Sequence, residues 1–294
     1  MPDANKTSRS CAPQRDGAGA KAQPVAAETG PRADLREQRE RRRRHNRTRA
    51  VLENASPFLI SALLLALWQV IVPLAQVPQL ILPTPLQIIA KIGKSYPLLL
   101  ADTKVTLLEV LYGFIAAVAV GIPIALCVFY SRIFAKSIYP ILVGLQTIPK
   151  VALAPLLVMW FGFGLVPKVV ISFLIAFFPI VITTVVGLSG LDREMVYLVR
   201  SMGANEFQTF IKIRLPAALP SIFGGFKVAI ALSVVGAVIG EYIAAESGLG
   251  YRQLTANIQF DSALNFAALI FIALCGVITF AAISGLERVF VRQP

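Results

Sequence analysis

The stretch "VVISFLIAFFPIVITTVVGLSGL", residues 169–191, contains no charged side chain between Lys168 and Asp192. A helix needs about 20 predominantly apolar residues to cross the hydrocarbon core of a bilayer. This stretch is long enough and apolar enough, so it predicts a membrane-spanning helix.

Other apolar stretches follow the same pattern on both sides of this one. The chain of 294 residues is 56% hydrophobic with a mean hydropathy of +0.70, well above what a soluble domain needs for its core. We therefore predict an all-α integral membrane protein with six transmembrane helices in a membrane domain of residues 54–294. The spans are expected near 57–77, 107–130, 137–161, 168–190, 218–242 and 263–287.

Residues 1–53 differ in composition from the rest of the chain. They hold 13 of the 28 Lys and Arg residues and no aromatic residue, so we expect a disordered basic tail. The arginines at 41–44, just before the first span, indicate a cytoplasmic N-terminus that contacts anionic lipid, rather than a nucleic-acid site. An even number of spans then places the C-terminus in the cytoplasm too, in the cell (inner) membrane.

Metal, redox and ATPase chemistry are not expected in this chain. Its three cysteines, Cys11, Cys127 and Cys275, lie far apart, and His45 is its only histidine. The sequence contains no GxxxxGK[ST] phosphate loop. We therefore expect that this chain is no enzyme and binds no cofactor or metal itself.

The segment "RSMGANEFQTFIKIRLPAALP", residues 200–220, is polar although apolar spans flank it. Gly203 is placed to end a short helix in a left-handed cap, and a second short helix begins at Ala204 and Asn205. Phe207 and Phe210 are predicted to share the apolar face of that second helix, before prolines redirect the chain into the membrane. Composition alone fits a plain connector or a helix that lies on the membrane surface.

The spacing within this segment is more specific than its composition. Gly203, nine residues, Ile213, one residue and then Leu215-Pro216 resembles the signature loop of ABC importer membrane subunits. The residues at 80–92, 147–170 and 218–251 are similar to the branch of that family that imports nitrate, sulfonates and taurine. Where the family has Glu-Ala-Ala, this chain has Tyr197-Leu198-Val199, with Glu194 one turn earlier.

The resemblance implies a function and a set of partners. Two membrane subunits form a pathway, a cytoplasmic ATP-binding subunit drives transport, and an extracytoplasmic solute-binding protein delivers the solute. A second copy of this chain is the expected membrane partner, and the segment at 200–220 becomes a cytoplasmic coupling loop between the fourth and fifth spans. The residues assigned to that loop are Gly203, Ala204, Asn205, Phe207, Phe210, Ile213, Leu215 and Pro216.

Two charged residues within apolar stretches are candidates for the translocation pathway. Lys150 could attract an anionic solute, or its ammonium could reach a water-filled cavity or pair with Glu109 or Glu241. Glu241 could line the pathway or accept a hydrogen bond from a neighbouring amide. The expected solute is of the nitrate, sulfonate or taurine type, and the alternative is a vitamin precursor such as a pyrimidine or riboflavin. An ion-coupled secondary transporter is a remote alternative, because no internal repeat is evident.

Overall fold

A computed structural model describes residues 59–291, apart from the side chain at position 193. The predicted basic tail, residues 1–53, lies outside the described residues. The chain divides into two units, residues 1–63 and residues 64–294. All regular secondary structure within the described residues is helical, which confirms the all-α prediction.

The described residues contain α-helices joined by short turns, and two of these connections are themselves helical. A 3₁₀ turn, Lys150–Leu153, precedes α4, and a π-helical turn, Phe210–Arg214, joins α7 to α8. The α-helices are α1 Leu59–Leu74, α2 Pro85–Tyr130, α3 Arg132–Leu145, α4 Ala154–Phe161, α5 Leu165–Ser189, α6 Arg193–Ser201, α7 Glu206–Thr209, α8 Leu215–Ala244, α9 Leu249–Ile258 and α10 Ser262–Phe290.

Four helical segments in the described part of the chain are long and apolar enough to cross a membrane. They are α2, α5, the continuous segment Glu206–Ala244 and α10. The bent pair formed by α3 and α4 would add a fifth crossing if it acts as one span, whereas α1 is apolar but shorter. The predicted total of six spans therefore stays a prediction.

Helix α2 is much longer than the span that the sequence suggested near 107–130. It begins at a capping box, in which the Thr84 N–H donates to Gln87 Oε1 at 2.9 Å and the Gln87 N–H donates to Thr84 Oγ1 at 3.4 Å. The helix then continues through Pro97 and Pro123 for 46 residues. Prolines are tolerated in membrane helices, since neighbouring groups satisfy the carbonyls that they leave free.

The predicted span near 137–161 is two helices that meet at an angle of 83°. Helix α3 ends before Pro149, which has no N–H to continue the helical hydrogen bonds and disfavours a helical conformation at Ile148. Gly162 and Gly164, with φ of 76° and 132°, then connect α4 to α5. The proline and the glycines together explain why an apolar stretch of sufficient length does not form one straight helix.

Helices α2, α5 and α8 pack around a shared core, and α5 and α8 make the most extensive helix pair. Their backbones approach closely at Gly236, where a Cβ atom would lie 2.6 Å from the Cα of Ser172. The Ser172 hydroxyl donates to the Ser233 carbonyl at 3.0 Å across the same contact. Only glycine fits at position 236, so this residue sets the close approach of α5 and α8.

Helix α10 runs alongside α8 and shows which ends of the bundle lie together. Phe290 stacks on Phe223 with ring centroids 6.2 Å apart, and Lys227 forms an ion pair with Glu287. The last turns of α10 therefore lie beside the first turns of α8. This places the end of α10 at the same end of the bundle as α6 and α7.

Candidate functional site

The chain between α5 and α8 forms two short helices at one end of the bundle, as the sequence predicted. Helix α6 ends in a Schellman motif, in which the Gly203 N–H donates to the Arg200 carbonyl at 2.9 Å and the Ala204 N–H donates to the Val199 carbonyl at 3.3 Å. Gly203 has a φ of 86°, in the left-handed region that favours glycine. The predicted cap is therefore confirmed, and its glycine is a conformational requirement.

Helix α7 begins with a capping box. The Gln208 N–H donates to Asn205 Oδ1 at 2.8 Å, and the Asn205 N–H donates to Gln208 Oε1 at 3.1 Å. Arg200 and Glu206 form an exposed ion pair that links α6 to α7. We call residues 193–214 the α6–α7 loop. Its tip is held by bonds between residues that are close in sequence.

The two phenylalanines of the α6–α7 loop point to different surroundings, although they were predicted to share a face. Phe207 is 71% exposed. Phe210 is half-buried, with its ring 5.8 Å from that of Tyr130 at the end of α2, and it packs against the cluster that contains Leu188. The Phe210 N–H donates to the Glu206 and Phe207 carbonyls, so the turn between the two rings is regular. Their surroundings differ because Phe210 lies one turn nearer the bundle, where it reaches Tyr130.

The remaining loop residues complete the connection to α8. Leu215 packs against the same cluster as Phe210, Ile213 is half-buried, and Pro216 lies in the first turn of α8. Tyr197 and Leu198, which stand where the family has Glu-Ala, are 64% and 63% exposed. The loop therefore has an inner side attached to the bundle and an outer side with uncovered apolar side chains.

A second site lies toward the other end of α8, around the turn between α8 and α9. Glu241 is fully buried, and its carboxylate accepts from the Thr106 hydroxyl at 2.6 Å and from the Gly250 N–H at 2.5 Å. The Leu249 N–H donates to Thr106 Oγ1 at 2.9 Å. The interpretation that Glu241 binds a neighbouring amide therefore agrees with the structure.

Helix α2 supplies a further anchor for the same turn. Asp102 accepts from the Gly248 N–H at 3.1 Å and from Arg252 Nε at 2.8 Å. Gly248 has a φ of 114°, and a Cβ atom there would collide with the carboxylate of Glu241. We call this set the turn network. Its members are Asp102, Thr106, Glu241, Gly248, Leu249, Gly250 and Arg252.

The charged residues predicted for the pathway are not brought together. Lys150 is half-buried, donates to the Gln146 carbonyl and lies over the Phe178 ring at 4.8 Å from its centroid. It pairs with neither Glu109 nor Glu241 in the described structure. Glu109 instead forms a buried ion pair with Lys168.

Sequence reasoning missed part of this polar region. Asp102, Thr106 and Glu109 recur at spacings of four and three, so they lie on one face of α2. That spacing was a signal for a polar stripe on an otherwise apolar helix. Glu109 and Lys168 also line a cavity of about 380 Å³ that reaches Glu246 in the turn after α8. The buried charges therefore belong to a connected region at this end of the bundle.

Comparison with known proteins supports the resemblance seen in the sequence. The family model described as a binding-protein-dependent transport system inner membrane component matches residues 113–293. The chain is 36% identical over 234 residues to the formylaminopyrimidine transport permease protein ThiX of Halalkalibacterium halodurans, which covers 79% of this chain and 93% of ThiX. It is 31% identical over 232 residues to a Bacillus subtilis protein named for aliphatic sulfonates transport, the permease SsuC, covering 78% of this chain and 84% of SsuC.

A solved structure shares the fold. It is a chain of the methionine ABC transporter MetNI in an inward-facing conformation, with a TM-score of 0.60 and 19% identity, covering 68% of this chain and 99% of that one. The family match and these relatives confirm the prediction of an ABC importer permease, and the likeness to the solved structure confirms its fold. The chain belongs to the family of binding-protein-dependent ABC transporter permeases, the inner membrane components of these transport systems.

Proposed function

We propose that this chain forms the translocation pathway of an ATP-driven importer as a homodimer. ATP is hydrolysed on a separate cytoplasmic subunit, and an extracytoplasmic binding protein delivers the solute. The family description supports a binding protein as a partner. The likeness to a chain of the MetNI ABC transporter supports assembly with an ATP-binding subunit. The absence of a phosphate loop from the sequence supports a separate ATPase chain.

The observation that carries this proposal is the two-sided α6–α7 loop. Phe207 on its outer side is exposed and has the character of an interface anchor, because buried aromatic residues often dominate interface energies. Phe210 on its inner side packs on the bundle and therefore positions the loop. In the proposed complex, Phe207 enters a groove of the ATPase subunit, and this groove lies in the cytoplasm.

The attachment of the loop suggests how ATP binding would move the membrane helices. The loop joins α5 to α8, which make the most extensive helix pair of the described chain. The segment Glu206–Ala244 is continuous, so a push on α7 is transmitted directly to α8. Closure of the two ATPase subunits on ATP would then displace both loops of the dimer and tilt these helices.

Unlike the α6–α7 loop, the turn network is held rigidly, which suits a surface that binds another protein. Its buried carboxylates hold the backbone N–H groups of Gly248 and Gly250, which makes the turn rigid. We propose that this turn faces the outside of the membrane and contacts the binding protein. A rigid turn would receive that protein without having to become ordered on binding.

The proposed solute is small, of the nitrate, sulfonate or taurine type. The half-buried ammonium of Lys150 and the similarity to SsuC support an anion. A pyrimidine or another vitamin precursor is the second candidate, which the greater identity to ThiX favours. The solute-binding protein of the proposed importer can decide between them, because only its own solute should raise its melting temperature.

The experiment that tests the proposed function is ATP-dependent solute uptake into vesicles that contain the assembled importer. Gly203→Val forces a β-branched residue into the left-handed region at the loop, although no atom would lie within 4 Å of the new Cβ. We expect a loss of uptake of about tenfold or more with normal membrane insertion. Gly203→Asn is the matched control, because asparagine tolerates the left-handed region, and it should keep most of the uptake. Full uptake by the Gly203→Val variant would contradict the proposal.

A further inference from the structure

A cavity of about 420 Å³ lies between the α6–α7 loop and the bundle. The ends of α2 and α5, the start of α3, helix α6 and the π-helical turn all contribute to its wall. Three of the lining residues are arginines, Arg132, Arg200 and Arg214, and none is acidic. A cavity with this lining carries a strong positive charge.

Arg214 is held in place with unused hydrogen-bonding capacity. Its guanidinium lies over the Phe129 ring at 5.0 Å from the centroid. Its Nε is buried and has no hydrogen-bond partner in the described chain. Leaving a buried charged donor unpaired is costly, so a bound anion would offset that cost.

The carboxylates near the cavity leave this charge largely uncompensated. Glu206 pairs with Arg200 at the exposed tip of the loop, where both side chains contact solvent. Asp192 and Glu194 are exposed and do not line the cavity. Arg132 and Arg214 form no ion pair among the residues that the structure describes.

The position and the remaining walls of the cavity favour a phosphate group. The apolar residues Phe129, Leu188 and Leu191 line it together with the arginines. It lies where the apolar helices α2 and α5 end, and basic pockets between membrane helices bind lipid head groups. Guanidinium groups match the oxygens of a phosphate better than an ammonium does.

We propose that the cavity bounded by Arg132, Arg200 and Arg214 binds a phosphate anion, either the head group of an anionic phospholipid or free phosphate. The anion bridges Arg200 and Arg214 of the α6–α7 loop to Arg132 at the start of α3, which holds the loop against the bundle. This site goes beyond the transport role, because its ligand is neither the solute nor ATP. If no anion binds in this cavity, the proposed importer function is unaffected.

The test uses the full chain in phosphatidylcholine nanodiscs and follows thermal unfolding by tryptophan fluorescence. Dioctanoyl-phosphatidylglycerol, dioctanoyl-phosphatidylcholine and inorganic phosphate are titrated separately. We expect the phosphatidylglycerol or the phosphate, but not the phosphatidylcholine, to raise the melting temperature by a few degrees in a saturable manner. A shift by the lipid alone identifies a head group, and an equal shift by inorganic phosphate identifies a soluble anion.

Paired variants separate the cavity from general surface charge. Arg214→Gln and Arg132→Gln should each weaken the apparent affinity about tenfold, the loss of one charged hydrogen bond. Lys212→Gln is the matched control, because Lys212 is exposed in the same π-helical turn but does not line the cavity. The anion affinity of the Lys212→Gln variant should stay within about twofold of that of the unchanged chain. The basic residues of 1–53 are present in all of these proteins.

Two results would overturn the proposal. The first is no shift with either anion. The second is an equal loss of affinity in the Lys212 and Arg214 variants, which would mean that general surface charge, and not the cavity, attracts the anion.

Discussion

The α6–α7 loop and the turn network are built in opposite ways. The loop is tied by bonds between near neighbours, such as Asn205 with Gln208, and it leaves Phe207 71% exposed. The turn network is tied by bonds across 146 and 143 positions, from Gly248 and Leu249 to α2, and Glu241 is fully buried. The loop tip is held by its own residues and leaves its outer side free to be contacted, whereas the turn is held fixed by distant helices. Substitutions that break bonds at the turn should therefore lower stability, whereas substitutions in the loop should lower transport.

The largest effect on stability is expected for the buried ion pair beside the turn network. Lys168→Met leaves Glu109 buried without its cation, which should lower the free energy of unfolding by about 3–5 kcal/mol. Denaturant titration in mixed micelles, followed by tryptophan fluorescence, measures this loss. The double variant Lys168→Met with Glu109→Leu should recover most of it, because no unpaired charge remains.

The matched change in the α6–α7 loop is Arg200→Met, which breaks an ion pair whose side chains are 46% and 63% exposed. Exposed pairs contribute about 0–1 kcal/mol, so the stability should hardly change. Equal losses from the Lys168 and Arg200 variants would remove the contrast between the two regions.

A smaller loss is expected for Glu241→Ala. The Gly250 N–H loses its buried acceptor, while the Thr106 hydroxyl keeps the Asp102 carbonyl as a partner at 3.1 Å. We expect a loss of about 2–3 kcal/mol and faster hydrogen exchange of the Gly250 amide. Glu246→Ala, an exposed acid five positions later, is the control and should change neither. An unchanged Gly250 exchange rate in the Glu241 variant would show that the turn is held by other bonds.

The parts of the fold that the sequence could predict depend on local patterns. Long apolar stretches were found as α5, α8 and α10, and the glycine at 203 was placed correctly in its cap. The bend between α3 and α4 was missed, because hydropathy measures length and not direction. The extension of α2 from residue 107 back to Pro85 was missed because it passes through Pro97, and proline normally ends a helix in water.

The candidate sites were predictable to different degrees for the same reason. The α6–α7 loop has a fixed spacing within one segment, which a single sequence can show. The partners of Glu241 lie on α2 and after α8, and no pattern in either segment says which residues pair across them. The division between Phe207 and Phe210 depends on the contact of Phe210 with Tyr130 at the end of α2, and the helical period within one segment does not show a contact between distant segments.

The central claim is that the exposed side of the α6–α7 loop binds the ATPase subunit, and Phe207→Asp tests it most directly. The measurement is the amount of ATPase subunit that copurifies with this chain. We expect a loss of about tenfold or more for Phe207→Asp, because a buried charge would replace an aromatic anchor, and near-normal recovery for the conservative Phe207→Leu. Phe260→Asp changes a phenylalanine that is 72% exposed between α9 and α10, away from the loop, and should have no effect. Undiminished ATPase recovery with Phe207→Asp would contradict the account.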